Sequence, residues 1–508
     1  MQTIVKHLYC DVAIIGGGVG GCSAAITSAR RGLQTIILDK GVSLGGLATN
    51  GYVPQIAGMI EGNSKEFMKR LQGEDKILKR SVDDDHNISF DPEWAKFVLE
   101  TMIGENGGRI LYDSTCMDVE MDGKNIKSAI FFTKGGWMAV HAANFVDATG
   151  DADVAAMAGV PYQVGGVDFA GLNMSTTLGT RWQGYNKSVY EAADKAWRKE
   201  QQEKGLLAGQ QRPLIYSLEE KAIANGELVR HIANTYSGIF QVPLPDSTKD
   251  SMDFCTFSFH SYFTHNTDVE DITRQVLEQH QLIQQWEKFL RKYVPGYENI
   301  HLIGMGSIPG VRDSRRIFGE YMLKASDVAC GTKFEDGIAR FPEMFDTHHP
   351  TNADAIFQRH IHIPAPQGSA VCRDSQCSAA MHPFGRPTGI EARSNPRDYC
   401  DIPYRSLLPK GVDNLLAVGR CCSAEFHANG AMRIIGPAMG TGQAAGVAIY
   451  LANKAGAKPR DIDGKQVRKV LIEEEGVNLN KFPEGYWTKL RDTQGEYQVT
   501  PGDSVKIV

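Results

Sequence analysis

A chain of 508 residues is long enough for about two to three domains. Its 42% hydrophobic and 22% charged residues suit a globular protein in water, and no apolar run reaches the ~18 residues that suggest a membrane span. A net charge of −6 without a long basic run argues against nucleic acid as a partner, and ten scattered cysteines without a C-x-x-C pair argue against an iron–sulfur cluster, a structural zinc site or a secreted disulfide framework. Met1 to Leu8 is too short for a signal peptide, so the cytoplasm is the expected compartment.

The first informative stretch runs from Tyr9 to Lys40. An apolar strand from Val12 to Ile15 enters Gly16-Gly17-Gly18-Val19-Gly20-Gly21. A helix of small residues follows from Cys22 to Arg31, then a second strand from Thr35 to Leu38 that ends at Asp39. In a dinucleotide-binding βαβ unit each residue type has a mechanical reason. Gly16 turns the chain sharply, Gly18 lets backbone N–H groups close on a pyrophosphate, and Gly21 lets the helix pack on the strands. The helix N-terminus faces the phosphates with its partial positive charge, and the carboxylate of Asp39 stands where such units bind ribose. A bare glycine-rich turn is the competing reading, and the strand, helix and terminal acid together count against it.

A second Gly-Gly follows in Leu44-Gly45-Gly46-Leu47-Ala48-Thr49-Asn50-Gly51, suggesting another backbone loop over the nucleotide. Lys65 to Arg80 and Pro92 to Asn106 read as helices. Arg109 to Cys116, Met117 to Glu120, Ser128 to Thr133 and Trp137 to His141 are short alternating stretches, the later ones separated by Gly-containing turns, as in a β-meander. They lead into an apolar strand, Asn144 to Asp147, closed by Ala148-Thr149-Gly150-Asp151.

From about residue 160 to 395 aromatic, His and Arg residues become denser. Met174 to Trp182 and Met252 to Phe263 read as strands, and Thr273 to Val294 as a long helix stopped by Pro295-Gly296. Asn414 to Gly419 then returns as an apolar strand ending in glycine. Gly436 to Gly446 opens a small-residue helix running to Ala452, whose N-terminus can stabilise negative charge. Residues 455–508 read as a short helix and an irregular tail.

With these motifs the chain resembles the FAD-dependent oxidoreductases over roughly residues 9–452, with an FAD domain of the glutathione-reductase type and a more distant likeness to fumarate-reductase-type flavoproteins. The resemblance rests on Gly16–Gly21, L-G-G-L-A-T at 44–49, A-T-G-D at 148–151, V-R-D-S-R-R at 311–316, F-D-T-H-H-P at 345–350, I-P-Y-R-S-L-L-P at 402–409 and the closing G-Q-A-A-G. His427-Ala428-Asn429 is similar to the H-x-A-N of fumarate-reductase-like enzymes without its flanking glycines.

The resemblance implies an α/β fold, a Rossmann-like FAD-binding domain of parallel sheet plus β-meander. That domain comprises residues 1–160 and 396–455 and is interrupted by an α+β substrate or cap domain at 161–395; residues 456–508 form a C-terminal helix and tail. FAD is the implied cofactor. Ile15, Gly16, Gly18, Val19, Gly20 and Gly21 would hold its pyrophosphate, with Asp39 and Lys40 at the ribose. Gly45, Gly46, Leu47, Ala48, Thr49 and Cys116 would lie along it, as would Ala148, Thr149 and Gly150. Gly419, Arg420, Gly440 and Thr441 would approach from the far end of the chain.

A flavin passes hydride through N5, so the protein must supply an acid or base and bind the substrate's polar groups. Asp346 and His348, two residues apart, would point the same way on a strand as an acid orienting a histidine base; an aspartate capping a turn before Pro350 is the alternative. Arg315 and Arg316 fall in an expected helix, where one would pair with Glu320 and the other would bind a carboxylate. Tyr404 and Arg405 are expected at the domain junction, Arg433 near the flavin, and His427 is a further catalytic candidate. His260, His265, His360 and His362 have no supporting context, and no metal site is expected.

The expected activity is hydride transfer between flavin N5 and a small or medium organic substrate, by dehydrogenation of an alcohol or CH–CH unit or by reduction of an activated alkene. A non-redox flavoprotein of the isomerase or hydratase type and a flavoprotein subunit of an electron-transfer complex are the alternatives. A small-molecule substrate is the expected partner; a homo-oligomer is compatible with the sequence, and a redox partner or NAD(P)H is left open.

Overall fold

The computed structural model describes residues 3–78, 88–205, 213–228, 241–245, 247–248, 250–330, 332–341, 346–351 and 399–479, with the backbone of short strands at 356–357, 362–364 and 370–372. His360, the side chain of His362 and the tail beyond residue 479 lie outside the described residues.

One sheet organises the chain. Strand β1 (Ile4–Ile15) is flanked in parallel by β2 (Thr35–Leu38) and by the long β6 (Gly136–Asp147), while β3 (Arg109–Leu111) extends the parallel edge beyond β2. On the other side β4 (Thr115–Asp122) and β5 (Asn125–Thr133) form an antiparallel meander with the first half of β6. The second half of β6 pairs in parallel with β7 (Leu415–Ala417), some 270 residues later in the chain. The sequence suggested separate strands at 137–141 and 144–147; they are one strand, shared between the meander and the returning chain. Arg109–Leu111 belongs to the parallel edge instead of the meander.

The period-2 alternation of a strand explains the two cores. Val12 and Ile14 face a cluster under the helices, whereas Ala13 and Ile15 face a cluster under the meander with Phe131, Val140 and Phe145. Helix α1 (Val19–Arg30) is buried on every side from Gly20 to Ala29, because it is held between the sheet and a second buried helix, α3 (Ile435–Ala455). A helix without a solvent face must be built of small residues if its neighbours are to come close, and the backbone contact here is direct. A Cβ placed on Gly442 would lie 1.9 Å from the Gly20 carbonyl oxygen, and one on Gly446 would lie 2.7 Å from Thr27 Cβ. Asn63 pins the junction: its amide donates to the Ser23 carbonyl at 3.1 Å and to Thr27 Oγ1 at 2.8 Å, and its backbone N–H donates to Gln443 Oε1 at 3.0 Å.

Residues 174–305 build a separate antiparallel sheet of four strands, Val242–Pro243, Met252–Thr256, Thr180–Tyr185 and His301–Met305 in spatial order. The helix α2 (Val269–Tyr293) covers it, capped by Asp268, and sets Leu282, Ile283, Trp286, Phe289 and Leu290 against Trp182 and Phe254. The segment 311–323, expected as a helix, instead contributes a strand at Arg315–Ile317 that pairs with Tyr162–Val164. Alternation on that strand sends Arg315 and Arg316 to opposite sides, which a helix would not do. Among the described residues no single helix is long and apolar enough to cross a membrane; Phe426–Met432 and Ile435–Ala455 would reach the length only together, and they meet at a bend of 87°.

Substituting Gly442 by Ala forces α1 and α3 apart. Overpacking of this kind costs about 1–3 kcal/mol, so chemical denaturation should show lower stability with reduced FAD content, and an unchanged midpoint would contradict the contact.

Candidate active site

Four glycine-bearing loops converge at the C-terminal edge of the parallel strands, where α/β sheets bind ligands. Gly16 follows Ile15 with φ of +106°, and a Cβ there would lie 2.4 Å from the Ala148 carbonyl oxygen, so only glycine fits. Gly18 caps α1 with only one atom inside 4 Å of where its Cβ would stand, and the first turn of α1, Val19 to Gly21, has neither a side-chain cap nor an acid. Those backbone donors and the open approach suit a pyrophosphate.

Asp39 ties the loop down. Its Oδ2 accepts from the Gly17 N–H at 2.5 Å and its Oδ1 from the Gly41 N–H at 2.6 Å, while the remaining lone pairs can accept ribose hydroxyls. Lys40 is exposed. The second loop lies on the first: the Gly45 N–H donates to the Gly17 carbonyl at 2.8 Å, and a Cβ on Gly46 would stand 3.0 Å from Gly18 Cα. Leu47 and Ala48 form a single turn closed by Thr49, whose hydroxyl donates to the Leu44 carbonyl at 2.6 Å.

Asp147 anchors the third loop. One carboxylate oxygen accepts from the Thr149 N–H at 3.1 Å and the Thr149 hydroxyl at 2.7 Å, and the other accepts from the Ala155 N–H at 2.9 Å. Gly150 then passes beneath Arg420, whose Nη2 would lie 2.7 Å from a Cβ there and donates to Asp151 Oδ1 at 2.9 Å; Arg420 Nη1 is buried without a hydrogen-bond partner. In the fourth loop the Gly419 N–H donates to Thr441 Oγ1 at 3.0 Å, and Gly440 packs on Ala339 and Met59. Gly440 and Thr441 thus hold the loop from behind. Cys116 lies on β4 with its thiol pushed up to about 12 by burial and the nearby Asp147 carboxylate, packed against the meander-side core.

A second group of candidate residues forms a buried polar cluster on a different set of elements. His348, in the two-residue strand Thr347–His348, lies with Nε2 3.1 Å from Asp346 Oδ1, and its Nδ1 is buried without a hydrogen-bond partner. Arg433, at the C-terminal end of the helix Phe426–Met432, donates from Nη2 to Asp346 Oδ2 at 2.7 Å and to the Asp346 carbonyl at 2.6 Å. Burial pushes the Asp346 carboxyl up, but Arg433, His348 and Arg312 outweigh it and hold it well below the ordinary carboxylate range. Burial, then Arg312, pushes His348 down to about 4 against the pull of Asp346. The imidazole is therefore neutral at pH 7, with its proton on Nε2 facing the carboxylate and a bare lone pair on Nδ1.

His427 lies on the same helix as Arg433, pushed down to about 3 by burial, then by Arg316 and His349; Phe169 and Phe426 pack around its ring. His349 turns away from Asp346, and its Nδ1 accepts from the Thr351 N–H at 3.1 Å. The structure thus brings His348, Asp346 and Arg433 together, with His427 on the adjoining helix.

Three sequence candidates sit elsewhere. Arg315 pairs with Asp153 at 2.7 Å and stacks over Tyr162, and Glu320 pairs with Arg460. The Tyr404 hydroxyl is buried against the Pro459 carbonyl at 2.7 Å, and Arg405 pairs with Asp336 at 2.9 Å. Tyr404 and Arg405 line a polar groove of about 890 Å³ with Glu320, Arg460 and Lys465, whose walls include neither the glycine loops nor His348. Arg316, placed four residues before its expected partner Glu320, is instead fully buried and satisfied by Asp313 Oδ2 at 3.0 Å, the Ala424 carbonyl at 3.0 Å and the Gly165 carbonyl at 2.7 Å.

Other residues of the cluster carried no clear sequence signal. His260 is buried, with Nδ1 2.9 Å from Ser175 Oγ and its ring 5.0 Å from that of His348. Asn429 is fully buried with neither end of its amide paired. The sequence marked Asn429 only as the last residue of His427-Ala428-Asn429 and gave His260 no supporting context.

The sequence profile of the family described as FAD dependent oxidoreductase matches residues 11–471. The chain belongs to the FAD-dependent oxidoreductases. It is an enzyme, its cofactor is FAD, and the converging glycine loops with the uncapped start of α1 and the unsatisfied Arg420 donor fit that group. A curated relative, the tRNA uridine 5-carboxymethylaminomethyl modification enzyme MnmG of Protochlamydia amoebophila (strain UWE25), is 39% identical over 64 residues, 13% of this chain and only 10% of that enzyme's length. Among solved structures, the geranylgeranyl bacteriochlorophyll reductase-like protein of Thermoplasma acidophilum aligns over 92% of this chain and 84% of its own at 12% identity and a TM-score of 0.40. The p-nitrophenol 4-monooxygenase PnpA of Pseudomonas putida DLL-E4 aligns over 62% of this chain and 70% of its own at 10% identity and a TM-score of 0.36.

Asp147 gives a direct test of the third loop. Burial raises its carboxyl to about 6 despite three hydrogen bonds. Because the unfolded chain ionises first, this group's contribution to stability is greatest below about pH 4 and declines as pH rises to about 6, by roughly 2–3 kcal/mol in total. Denaturation of the wild type and of Asp147→Asn across pH 4–7 should show a stability difference that falls along that range; a flat difference would contradict it.

Proposed function

We propose that the enzyme dehydrogenates a small or medium hydroxylated organic substrate, with His348 as the base that takes the hydroxyl proton. The observation that carries this reading is the state of His348: neutral, oriented through Nε2 by Asp346, and presenting an unpaired Nδ1. Bound FAD supplies the two-electron acceptor for the hydride that leaves carbon. His348 accepts the proton that leaves oxygen, so the carbinol becomes a carbonyl with its atoms and electrons accounted for.

Asp346 fixes which nitrogen carries the imidazole proton and steadies the imidazolium once it forms, the role of the third member in nucleophile–base–acid triads. Arg433 keeps Asp346 ionised and immobile from the opposite side. Reduction of an activated alkene would require a proton donor on the substrate side instead. His348 and His427 are both held neutral by burial and neighbouring guanidinium groups, so neither is a ready acid at pH 7.

His348→Ala should slow anaerobic flavin bleaching by a productive hydroxylated donor by roughly 10²–10⁴-fold with FAD retained, and Asp346→Asn should slow it by disturbing the tautomer. In the wild type, kcat/KM should be level through neutral pH and fall as pH drops through about 4, where His348 becomes protonated in the free enzyme. Bleaching by His348→Ala within about fivefold of wild type would rule His348 out as the base, a residual rate far above what general-base loss allows.

A further inference from the structure

Asn429 is the most unusual polar residue in the described chain. It is fully buried on the helix Phe426–Met432, and both its amide oxygen and its amide nitrogen lack a hydrogen-bond partner. Arg433 stands one helical turn further on, so the two side chains share a face, and the Arg433 backbone N–H donates to the Asn429 carbonyl. Arg433 spends Nη2 on Asp346 and leaves Nε buried without a partner; His348 spends Nε2 on Asp346 and leaves Nδ1 in the same state. Asp346 thus joins two side chains that each keep one buried polar atom without a hydrogen-bond partner. Each such buried atom destabilises the ligand-free fold, and native proteins keep few of them unless a ligand completes the set.

The leftover inventory is two donors, Arg433 Nε–H and the Asn429 amide N–H groups, and two acceptors, His348 Nδ1 and Asn429 Oδ1. Charge adds a condition. The described cluster carries the guanidinium groups of Arg312, Arg316 and Arg433 against the carboxylates of Asp313 and Asp346, and His348 and His427 are held neutral. An anion is favoured there and a cation is not.

We propose that this site takes a 2-hydroxy carboxylate, with the carboxylate received by Arg433 Nε–H and the Asn429 amide and the adjacent hydroxyl donating to His348 Nδ1. This rests on the reading of His348 as the base and names its substrate class. Asn429 Oδ1 accepts from a bridging water. The arrangement also strengthens the base: a carboxylate bound beside His348 offsets the Arg312 charge that pushes its proton affinity down.

The test uses the FAD-loaded enzyme with three sets of compounds on the same carbon skeletons: 2-hydroxy acids of increasing chain length, their methyl esters, and the corresponding 1,2-diols. Anaerobic flavin bleaching should be fastest with an acid and at least about 100-fold slower in kcat/KM with its ester and diol, as expected when a buried polar set is left unpaired. Oxalate, which cannot reduce flavin, gives a binding readout through the perturbed flavin spectrum. Asn429→Ala and Arg433→Lys should each weaken oxalate at least about tenfold, because an amide or a guanidinium fork is lost. Asn429→Ala should also leave the ligand-free protein at least as stable as wild type, since it removes two unpaired atoms.

Esters and diols that bleach as fast as the acids would overturn the carboxylate while leaving His348 as base. Failure of every hydroxylated compound to bleach would overturn both readings. Loss of FAD from Asn429→Ala, with oxalate affinity unchanged in the FAD-loaded fraction, would assign Asn429 to the cofactor and overturn the proposal.

Discussion

The backbone contact between Gly20 and Gly442 is the constraint from which the rest follows. It holds two helices together that lie more than 400 residues apart in the chain, with no side chain between the Gly20 carbonyl and Gly442 Cα. Because α3 is fixed on α1, Thr441 can hold the Gly419 N–H, Arg420 can close over Gly150, and the helix carrying Arg433 begins its course just before α3. The same closeness leaves no room for a side chain between Gly20 and Gly442, and the uncapped backbone donors at the start of α1 are the groups available to a phosphate.

The polar cluster obeys a different logic. Burial alone would drive Asp346 toward its neutral form and would leave His348 free to choose its tautomer. Arg433 and His348 reverse the first tendency, and the ionised Asp346 settles the second. Arg312 and burial then keep His348 neutral. Arg316, deeper still, spends its whole fork on Asp313 and on the carbonyls of Gly165 and Ala424, so it ties the chain at residue 165 to the helix bearing His427 and Asn429. Breaking a fully buried pair of that kind typically costs about 3–5 kcal/mol, which is why Arg316 serves position and not ligand binding.

The cofactor half of the site was legible because steric necessity writes itself into residue type. Gly16, Gly21 and Gly442 stand where any Cβ would strike backbone within about 2.4 Å, and small residues along both helices announce the contact before any coordinates. Asp346 and His348 were legible through the period of a strand. The remainder depended on tertiary choices that local pattern does not carry. Val311–Leu323 has enough helix-forming residues to suggest a helix, yet pairing with Tyr162–Val164 makes its centre a strand and gives Arg315 to Asp153 and Arg316 to Asp313 in place of a ligand and Glu320. Tyr404 and Arg405 adjoin the returning strand in sequence, but the Pro459 carbonyl and Asp336 claim them on another side. His260, and the unpaired amide of Asn429, became visible only as paired or unpaired atoms in a buried place, a property that no spacing reveals.

The proposed reaction requires the glycine loops and the His348–Asp346–Arg433 cluster to serve one reaction centre. A crystal structure of the FAD-loaded enzyme with oxalate bound tests it most directly. The pyrophosphate should lie at the start of α1 and the ligand on Arg433 and Asn429, with His348 Nδ1 facing the space between ligand and flavin ring. A flavin ring directed instead to the Tyr404–Arg405 groove, with His348 remote from it, would contradict the claim.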